Sequence, residues 1–215
     1  TLPEGFSAGF TRDAFWIRFA LASAAGEPSG TAWLEVHPPW LQDVRLYTRT
    51  PDGGIQESRA GTSVPMSQRF LQHPSTVFPV VLSEEPRTVI MRVTTSQAMV
   101  VNIRLMTPET FAEVSALSQL RSGFLFGCLM MGSIVALMGA WWVRQSFFTM
   151  ATAYLASHAL LYWGLYGLDQ VRFYPDQPWL NAKLIASTIS LVGAMLGYLT
   201  LSYLDPERHF PSLTH

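Results

Sequence analysis

The sequence contains very little cysteine and lysine. Cys128 is the only cysteine among 215 residues, so no disulfide can form within the chain, and cysteine usage does not reveal the compartment. Lys183 is the only lysine, which excludes a lysine base or a Schiff-base residue from the N-terminal half. Basic and acidic residues nearly cancel at a net charge of −1, and no basic patch suited to nucleic acid is present.

The motifs of common enzymes and metal sites are also absent from the sequence. It has no Walker loop, no G-x-S-x-G elbow, no H-E-x-x-H helix and no Cys/His spacing typical of metal ligands. Glu84 and Glu85 are adjacent, so their side chains point apart and do not form a catalytic pair. We therefore expect no catalysis, no cofactor and no metal within these residues.

Charge is distributed unevenly along the chain. Only eight of the 29 charged residues follow Arg121, and three apolar segments beyond it contain no Asp, Glu, Lys or Arg. Each has roughly the 20 residues needed to cross the hydrocarbon core of a bilayer. The sequence predicts transmembrane helices at 122–143, 146–168 and 184–204, because soluble proteins rarely contain three such helices in succession.

Basic residues do not decide the orientation of these helices. With the N-terminal part outside, Arg144 and Arg208 face the cytoplasm, whereas Arg172 and Lys183 face outward. Because a folded β-rich domain precedes the first span, we expect that domain to lie outside. The chain begins without Met or a signal-peptide pattern and stops soon after the third span, so we interpret it as a fragment with both ends removed.

Before Arg121 the sequence has the alternating pattern of β-strands. Apolar residues alternate with Trp16 and Arg18 at 15–21, and the same period recurs at 33–37 and 44–49. Further strands are predicted at 54–60, 75–82, 88–95 and 99–106. Seven or eight short strands at this spacing indicate an antiparallel sandwich, and we predict a jelly roll at 1–106.

Aromatic and charged side chains are predicted on the outer faces of these strands. If Phe15 and its alternate neighbours face the core, Trp16 and Arg18 point outward, and the same logic exposes Trp33, Glu35 and Tyr47. Aromatic rings stack on sugar rings and arginine binds hydroxyls or carboxylates, so this surface predicts a site for a glycan or a small polar ligand. The alternative is a solvated face whose two tryptophans are covered by loops or by a neighbouring segment that this sequence does not include.

A helix is predicted to connect this domain to the first span. Thr107 suits the N-cap and Pro108 the first helical position, which predicts a juxtamembrane helix at 107–121. A helix can transmit ligand binding only if its arrangement differs between two states. An apolar stripe along this helix, together with a histidine in the second span, supplies the predicted signal-coupling residues, which are Phe111, Val114, Leu117 and His158.

His158 allows two interpretations. It lies on one helix face with Tyr154, Tyr162 and Tyr166, because these residues recur every four positions. An intramembrane histidine is either a functional group or a partner in an interhelical hydrogen bond. The second interpretation is favoured, since no acidic residue in the spans could relay its proton.

An ordered set of short motifs runs through the chain. It consists of Phe15-Trp16-Ile17-Arg18, Trp33-Leu34-Glu35-Val36, Leu41-Gln42-Asp43-Val44-Arg45-Leu46-Tyr47, the spaced residues Gly61, Pro65 and Arg69, and Phe78-Pro79. In this order, and followed by a helix and apolar spans, the motifs resemble the bacterial seven-transmembrane receptors with diverse intracellular signalling modules. The resemblance covers nearly the whole chain.

The resemblance implies a location and a set of functional residues. The N-terminal part would be a periplasmic jelly-roll sensor, similar to carbohydrate-binding modules, on a protein of the bacterial inner membrane. The three spans would begin a seven-helix bundle, and a kinase, cyclase or related output domain would lie outside this chain. Arg18, Tyr47 and Arg69 match recurrent family positions. Arg18 and Arg69 are expected either to contact ligand or to anchor loop carbonyls.

Three functions remain open from the sequence. The first is the ligand-sensing, signal-transmitting input part of a receptor, with ligand contacts at Arg18, Arg69, Tyr47, Trp16 and Trp33. The main alternative is a membrane-anchored structural or assembly subunit of an envelope complex that docks a protein partner, and the third is a transporter accessory domain. Expected partners are a periplasmic glycan or small polar ligand, membrane lipid and, through glycine-lined helix faces or the sandwich, a second copy of the chain.

Overall fold

The structure is a computed structural model that describes residues 6–23, 30–50 and 52–204. Arg208, used above for the orientation argument, lies outside the described residues. The strands are β1 Phe6–Phe10, β2 Phe15–Leu21, β3 Thr31–His37, β4 Asp43–Arg49, β5 Ile55–Ala60, β6 Thr76–Val81, β7 Arg87–Thr94 and β8 Ala98–Met106. The helices are α1 Pro108–Val143, α2 Ser146–Leu165, α3 Leu168–Arg172 and α4 Pro178–Leu204, with a short 3-10 turn at Met66–Gln68.

The strands form two four-stranded antiparallel sheets. One sheet has the order β1-β8-β3-β6 and the other has the order β2-β7-β4-β5. Strands that are consecutive in sequence therefore alternate between the sheets, apart from the β4-β5 hairpin. This arrangement is a jelly roll, in which two sheets enclose one core. The predicted fold is confirmed.

The core lies between the two sheets and is built from alternate residues of their strands, apart from β1. Leu34 and Val36 of one sheet and Met91 and Val93 of the other are fully buried. The expected inward side of β2 is confirmed, since Phe15, Ile17 and Phe19 pack against this core. Their alternate neighbours point away from it.

β1 is the strand that the sequence analysis did not predict. All five of its residues are exposed, so burial does not alternate along this strand. Its pairing with β8 shifts register between Ser7 and Gly9, and Gly9 has a positive φ of 68°. A bulge of this kind disrupts the period of two on which strand prediction rests.

The chain divides into two compact units. The first unit contains the sandwich, the start of α1 as far as Ala116, and the connection Tyr166–Asn181 between α2 and α4. The second unit contains Leu117–Leu165 and the part of α4 from Ala182 onward. The predicted helix start is confirmed, because the Thr110 N–H donates to Thr107 Oγ1 at 3.2 Å.

Within the described residues, two helices are long and apolar enough to cross a membrane. They are α1 and the part of α4 at Pro178–Leu201, and only 11% and 6% of their most apolar windows are buried in protein. Helices with so little buried surface need an apolar environment other than their own chain. α2 contains Tyr154, His158 and Tyr162 and falls short of the hydropathy that α1 and α4 reach in the described part of the chain, so its role as a span stays a prediction.

Candidate functional site

The outer side of the sheet β2-β7-β4-β5, here called the open face, brings together several of the predicted ligand residues. In the strand register Trp16 lies opposite Arg92, and Arg92 lies opposite Arg45. The adjacent row on the same side contains Arg18, Ile90 and Tyr47. Side chains in such rows and their diagonals are within reach of one another.

An aromatic pair lies at the centre of the open face. The rings of Trp16 and Tyr47 stack across β7, with centroids 5.8 Å apart and planes inclined by 24°. Trp16 is 60% exposed, and Arg18 beside it is also exposed. A flat, exposed aromatic surface next to a cation suits a ligand that has a planar or C–H-rich face and polar substituents.

An ionic cluster surrounds Asp43 at one end of the same face. Its carboxylate accepts hydrogen bonds from Arg45 Nε at 3.0 Å, from Arg92 Nη1 at 3.3 Å and from Arg59 Nε. Arg45 also donates to Glu57 at 3.1 Å. These arginines are therefore held in place by carboxylates, whereas the Arg18 side chain makes no hydrogen bond or ion pair with any described residue.

The arginines determine the charge state of Asp43. Burial alone would raise the pKa of this carboxyl, but hydrogen bonds from Arg59 and Arg45, and the charges of both, outweigh that effect and hold its pKa below the ordinary value. Asp43 is thus ionised at neutral pH. The cluster therefore holds the side chains at this end of the open face in place, and the Asp43 carboxylate is already bonded to arginines.

The outer side of β3 in the other sheet differs from the open face and is here called the covered face. Trp33 packs edge-on against Phe70 and against Phe111 of α1, with ring centroids 5.8 and 5.1 Å apart. Phe111 is 4% exposed. Trp33 is therefore covered, by Phe70 of a loop and by Phe111 of α1, whereas the alternative named loops or a neighbouring segment.

Glu35 also belongs to the covered face, and its predicted exposure is wrong. It is only 4% exposed, and one of its oxygens lies 2.8 Å from His37 Nε2. Burial would raise the pKa of Glu35, but the hydrogen bond and charge of His37, together with a hydrogen bond from Ser75 and the charge of Arg104, outweigh burial and lower the pKa. Strand parity predicted the correct side of β3 but not what lies over it.

His73 connects the covered face to α1. Its Nδ1 accepts from the Ser75 backbone N–H at 3.1 Å, and its Nε2 lies 2.7 Å from Ser115 Oγ. Because Nδ1 accepts a hydrogen bond, neutral His73 carries its ring proton on Nε2, and this N–H donates a hydrogen bond to Ser115 Oγ. The ring also packs edge-on against Phe111 at 5.1 Å. Burial lowers the pKa of His73, although nearby Glu35 acts in the opposite direction.

Arg69 is buried in the loop before β6. Its Nε and Nη2 both donate to the carbonyl oxygen of Val64, at 3.0 and 2.9 Å, and only 7% of the residue is exposed. Burial lowers the pKa of Arg69 to about 10. Of the two roles expected for Arg69, this is the anchoring one. The same loop begins at Gly61, where φ is +114° and a Cβ would lie 2.5 Å from the Gln42 carbonyl oxygen.

The connection between α2 and α4 binds the loop that Arg69 anchors. The Pro175 carbonyl accepts from the Met66 N–H at 2.8 Å. Asp176 Oδ1 accepts from both the backbone N–H and the hydroxyl of Ser67, at 3.2 and 2.7 Å, and these bonds lower the pKa of Asp176. Gln170 Nε2 donates to the Thr62 carbonyl at 3.3 Å. The sequence analysis missed this contact, because it joins positions more than 100 residues apart and no local pattern marks it.

Comparison with known families identifies the sandwich. Residues 2–107 match the family described as 7TMR-DISM extracellular 2. The domain belongs to that family. A search of curated proteins finds no match to this chain. The 7TMR-DISM domain is a sensor domain and not an enzyme family, and the helices that follow it fit a seven-transmembrane receptor with an extracellular sensor. The chain is therefore a membrane protein whose N-terminal domain lies outside.

The predicted ligand residues form two groups in the structure of the 7TMR-DISM domain. Trp16, Arg18 and Tyr47 lie together on the open face. Trp33 contacts α1, and Arg69 anchors a loop. Parity placed Trp16 and Trp33 on outward sides of their strands, but only the tertiary structure shows that these sides belong to different sheets.

The predicted signal-coupling residues have different surroundings. In the unit of the 7TMR-DISM domain, Phe111 is buried and Val114 is half-buried. In the other unit, Leu117 is 59% exposed, and the His158 ring lies 5.6 Å from that of Tyr154. His158 Nδ1 is buried and has no hydrogen-bond partner among the described residues. Their role in coupling stays a prediction.

Proposed function

We propose that this chain is the ligand-binding, signal-transmitting input part of a bacterial inner-membrane receptor and that its 7TMR-DISM domain lies in the periplasm. A small polar ligand or glycan binds the open face, and the output domain belongs to a longer protein. The family of the domain and the apolar helices that follow it support the receptor assignment.

The main observation in favour of a ligand site is the exposed aromatic pair, which lies beside the side chain of Arg18, unpaired within the described residues. Trp16 and Tyr47 present a stacked surface, and Arg18 supplies donors that no described residue uses. In this site the rings contact the flat side of the ligand, while Arg18 donates to a hydroxyl or carboxylate. Arg69 and Trp33 support the domain instead of contacting ligand.

Transmission uses the contacts on the covered face. The loop before β6 contacts α1 through His73 and contacts the α2–α4 connection through Met66 and Ser67. A ligand can shift these contacts only if it binds more tightly to one arrangement of the domain than to another. Phe111 and Ser115 are then the residues of α1 that respond first.

The experiment is a thermal unfolding screen of the full chain in lipid nanodiscs with glycans, organic acids and envelope fragments. A ligand that binds only the native state raises the melting temperature. We expect a hit that Trp16→Ala and Arg18→Ala both abolish, while Arg49→Ala, an exposed arginine at the far end of β4, leaves it unchanged. If a folded protein gives no hit but associates stably with an envelope protein, the sensor proposal is wrong and the assembly alternative holds.

A further inference from the structure

A cleft between the two sheets opens beside the aromatic pair. It lies where β1 and β2, each an edge strand of its own sheet, approach one another. Its volume is about 400 Å³, within the range of about 300–1,000 Å³ typical of small-molecule sites. The lining residues are Phe6, Phe15, Trp16, Ile17, Arg18, Val101 and Ile103.

The interior of the cleft is apolar and incompletely filled. Phe15, Ile17 and Ile103 border the core but are only partly buried. Phe6, which pairs with buried Val101, remains 42% exposed, and its ring lies 5.1 Å from that of Phe15 at the opening. Apolar surface that faces such an opening would be stabilised by an apolar ligand group.

The rim of the cleft carries one positive charge. Arg45, Arg59 and Arg92 of the same sheet are held by Asp43, whereas the Arg18 side chain makes no ion pair or hydrogen bond within the described part of the chain. An anionic group at the rim would therefore gain a charge-assisted hydrogen bond without breaking one inside the domain. A neutral polyhydroxylated ligand would leave the apolar interior unfilled.

We propose that this cleft binds small amphipathic carboxylates, with the aromatic or alkyl group between the sheets and the carboxylate on Arg18. The inference rests on the proposed function and specifies the ligand class of the same site. Trp16 lines the cleft and also belongs to the aromatic pair, so a ligand in the cleft changes the environment of its ring. Size and charge complementarity, rather than exposure alone, select this class.

The test is fluorine NMR of the full chain in nanodiscs, labelled with fluorotryptophan. The chain has seven tryptophans, and the Trp16 resonance is assigned by its loss in Trp16→Phe. Phenylbutanoate should shift this resonance saturably. The matched neutral alcohol, phenylbutanol, should bind at least about tenfold more weakly, and acetate, which carries only the charge, should have no effect. Equal effects of acid and alcohol would overturn the role of Arg18 and with it the proposal.

Two variants locate the binding site. Ile103→Phe fills the cleft and Phe6→Ala removes part of its wall, and both should weaken phenylbutanoate binding. Arg18→Gln should reduce the affinity for the acid to that for the alcohol, whereas the exposed arginine control Arg49→Gln should leave both unchanged. A saturable Trp16 shift that survives Ile103→Phe and Phe6→Ala in folded protein would overturn the cleft as the site.

The same variants separate this proposal from the proposed function. A polar ligand from the thermal screen that binds equally well to wild type and Ile103→Phe, while phenylbutanoate binds neither, leaves the sensor function intact and rejects the cleft. Absence of binding by any compound to folded protein rejects both. Binding of phenylbutanoate that depends on the cleft and on Arg18 supports both.

Discussion

The two outer faces of the sandwich carry similar residues but have different surroundings. On the open face Trp16 is 60% exposed and stacks on Tyr47. On the covered face Trp33 is half-buried between Phe70 and Phe111. A tryptophan on the outward side of a strand is therefore not by itself a sign of ligand binding. What covers the strand decides its role.

The charges on the two faces differ in the same way. Arginines on the open face surround the Asp43 carboxylate and leave Arg18 available. On the covered face Glu35 and His73 are enclosed, and His73 is bonded to α1 through Ser115. The covered face contacts the start of α1, and under our proposal the open face binds the ligand. The following predictions test this difference between the faces.

The largest effect is expected from truncating Phe111. Its ring is buried against Trp33 and His73, so Phe111→Ala should destabilise the first unit by about 3–5 kcal/mol. The measurement is thermal or denaturant unfolding of the full chain. Phe10→Ala is the matched control, because Phe10 is 84% exposed and should change stability by less than about 0.5 kcal/mol. Equal effects of the two variants would contradict the packing of Phe111 against the covered face.

An intermediate effect is expected at Asp43. Asp43→Asn weakens its contacts with three arginines and should cost about 1–3 kcal/mol, whereas Glu57→Gln, with one exposed contact, should cost about 0–1 kcal/mol. Because the folded pKa of Asp43 lies below its ordinary 3.8, its stabilisation is present above pH 3.8 and is lost as the pH falls toward the folded pKa. Asp43→Asn should flatten this part of the acid unfolding curve, and an unchanged curve would contradict the account.

A smaller, pH-dependent effect is expected at His73. Its pKa is lowered in the folded protein, so its contribution to stability is complete above the ordinary value of 6.5 and declines as the pH falls below that value. Protonation of Nδ1 also removes the hydrogen bond from Ser75. After correction for the slower intrinsic exchange at low pH, the protection factors of amides in the first turns of α1 should therefore fall as the pH is lowered from about 7.5 to about 5.5.

Substitution at two histidines tests this assignment. His73→Gln cannot gain the charge and should weaken the pH dependence of exchange in α1. His37→Gln serves as the control, since His37 pairs with Glu35 rather than with α1. Loss of the pH dependence in His37→Gln but not in His73→Gln would show that the titrating group has been misidentified.

The smallest effect on stability is expected at Trp16. Because most of this side chain is exposed, Trp16→Ala should cost no more than about 1 kcal/mol, chiefly from the stack with Tyr47. The same change should abolish ligand binding in the thermal screen. A large loss of stability would mean that Trp16 is structural, as Trp33 is, and would remove the contrast between the faces.

The sequence predicted those features that neighbouring residues determine, namely the inward side of a strand and the start of a helix. The period of two placed Phe15, Ile17 and Phe19 against the core, and the Thr107 cap marked the start of α1. β1 was missed because of the bulge at Gly9. Two-residue alternation cannot reveal which strands share a sheet, so Trp16 and Trp33 could not be separated.

The contacts of the covered face could not be predicted for a related reason. His73 meets Ser115, and Ser67 meets Asp176, across 42 and 109 positions of sequence. Such pairs have no spacing rule, since a loop can place any residue beside another. Arg69 could be named from the sequence, but its anchoring role needed the position of the Val64 carbonyl.

Hydrogen–deuterium exchange on the full chain in nanodiscs, with and without each compound of the ligand screen, tests the central claim most directly. The account predicts that a bound ligand slows exchange in β2 and β4 of the open face and also changes exchange in the start of α1, which the covered face contacts. Protection confined to the covered face, or binding that protects β2 and β4 and leaves α1 unchanged, would contradict it.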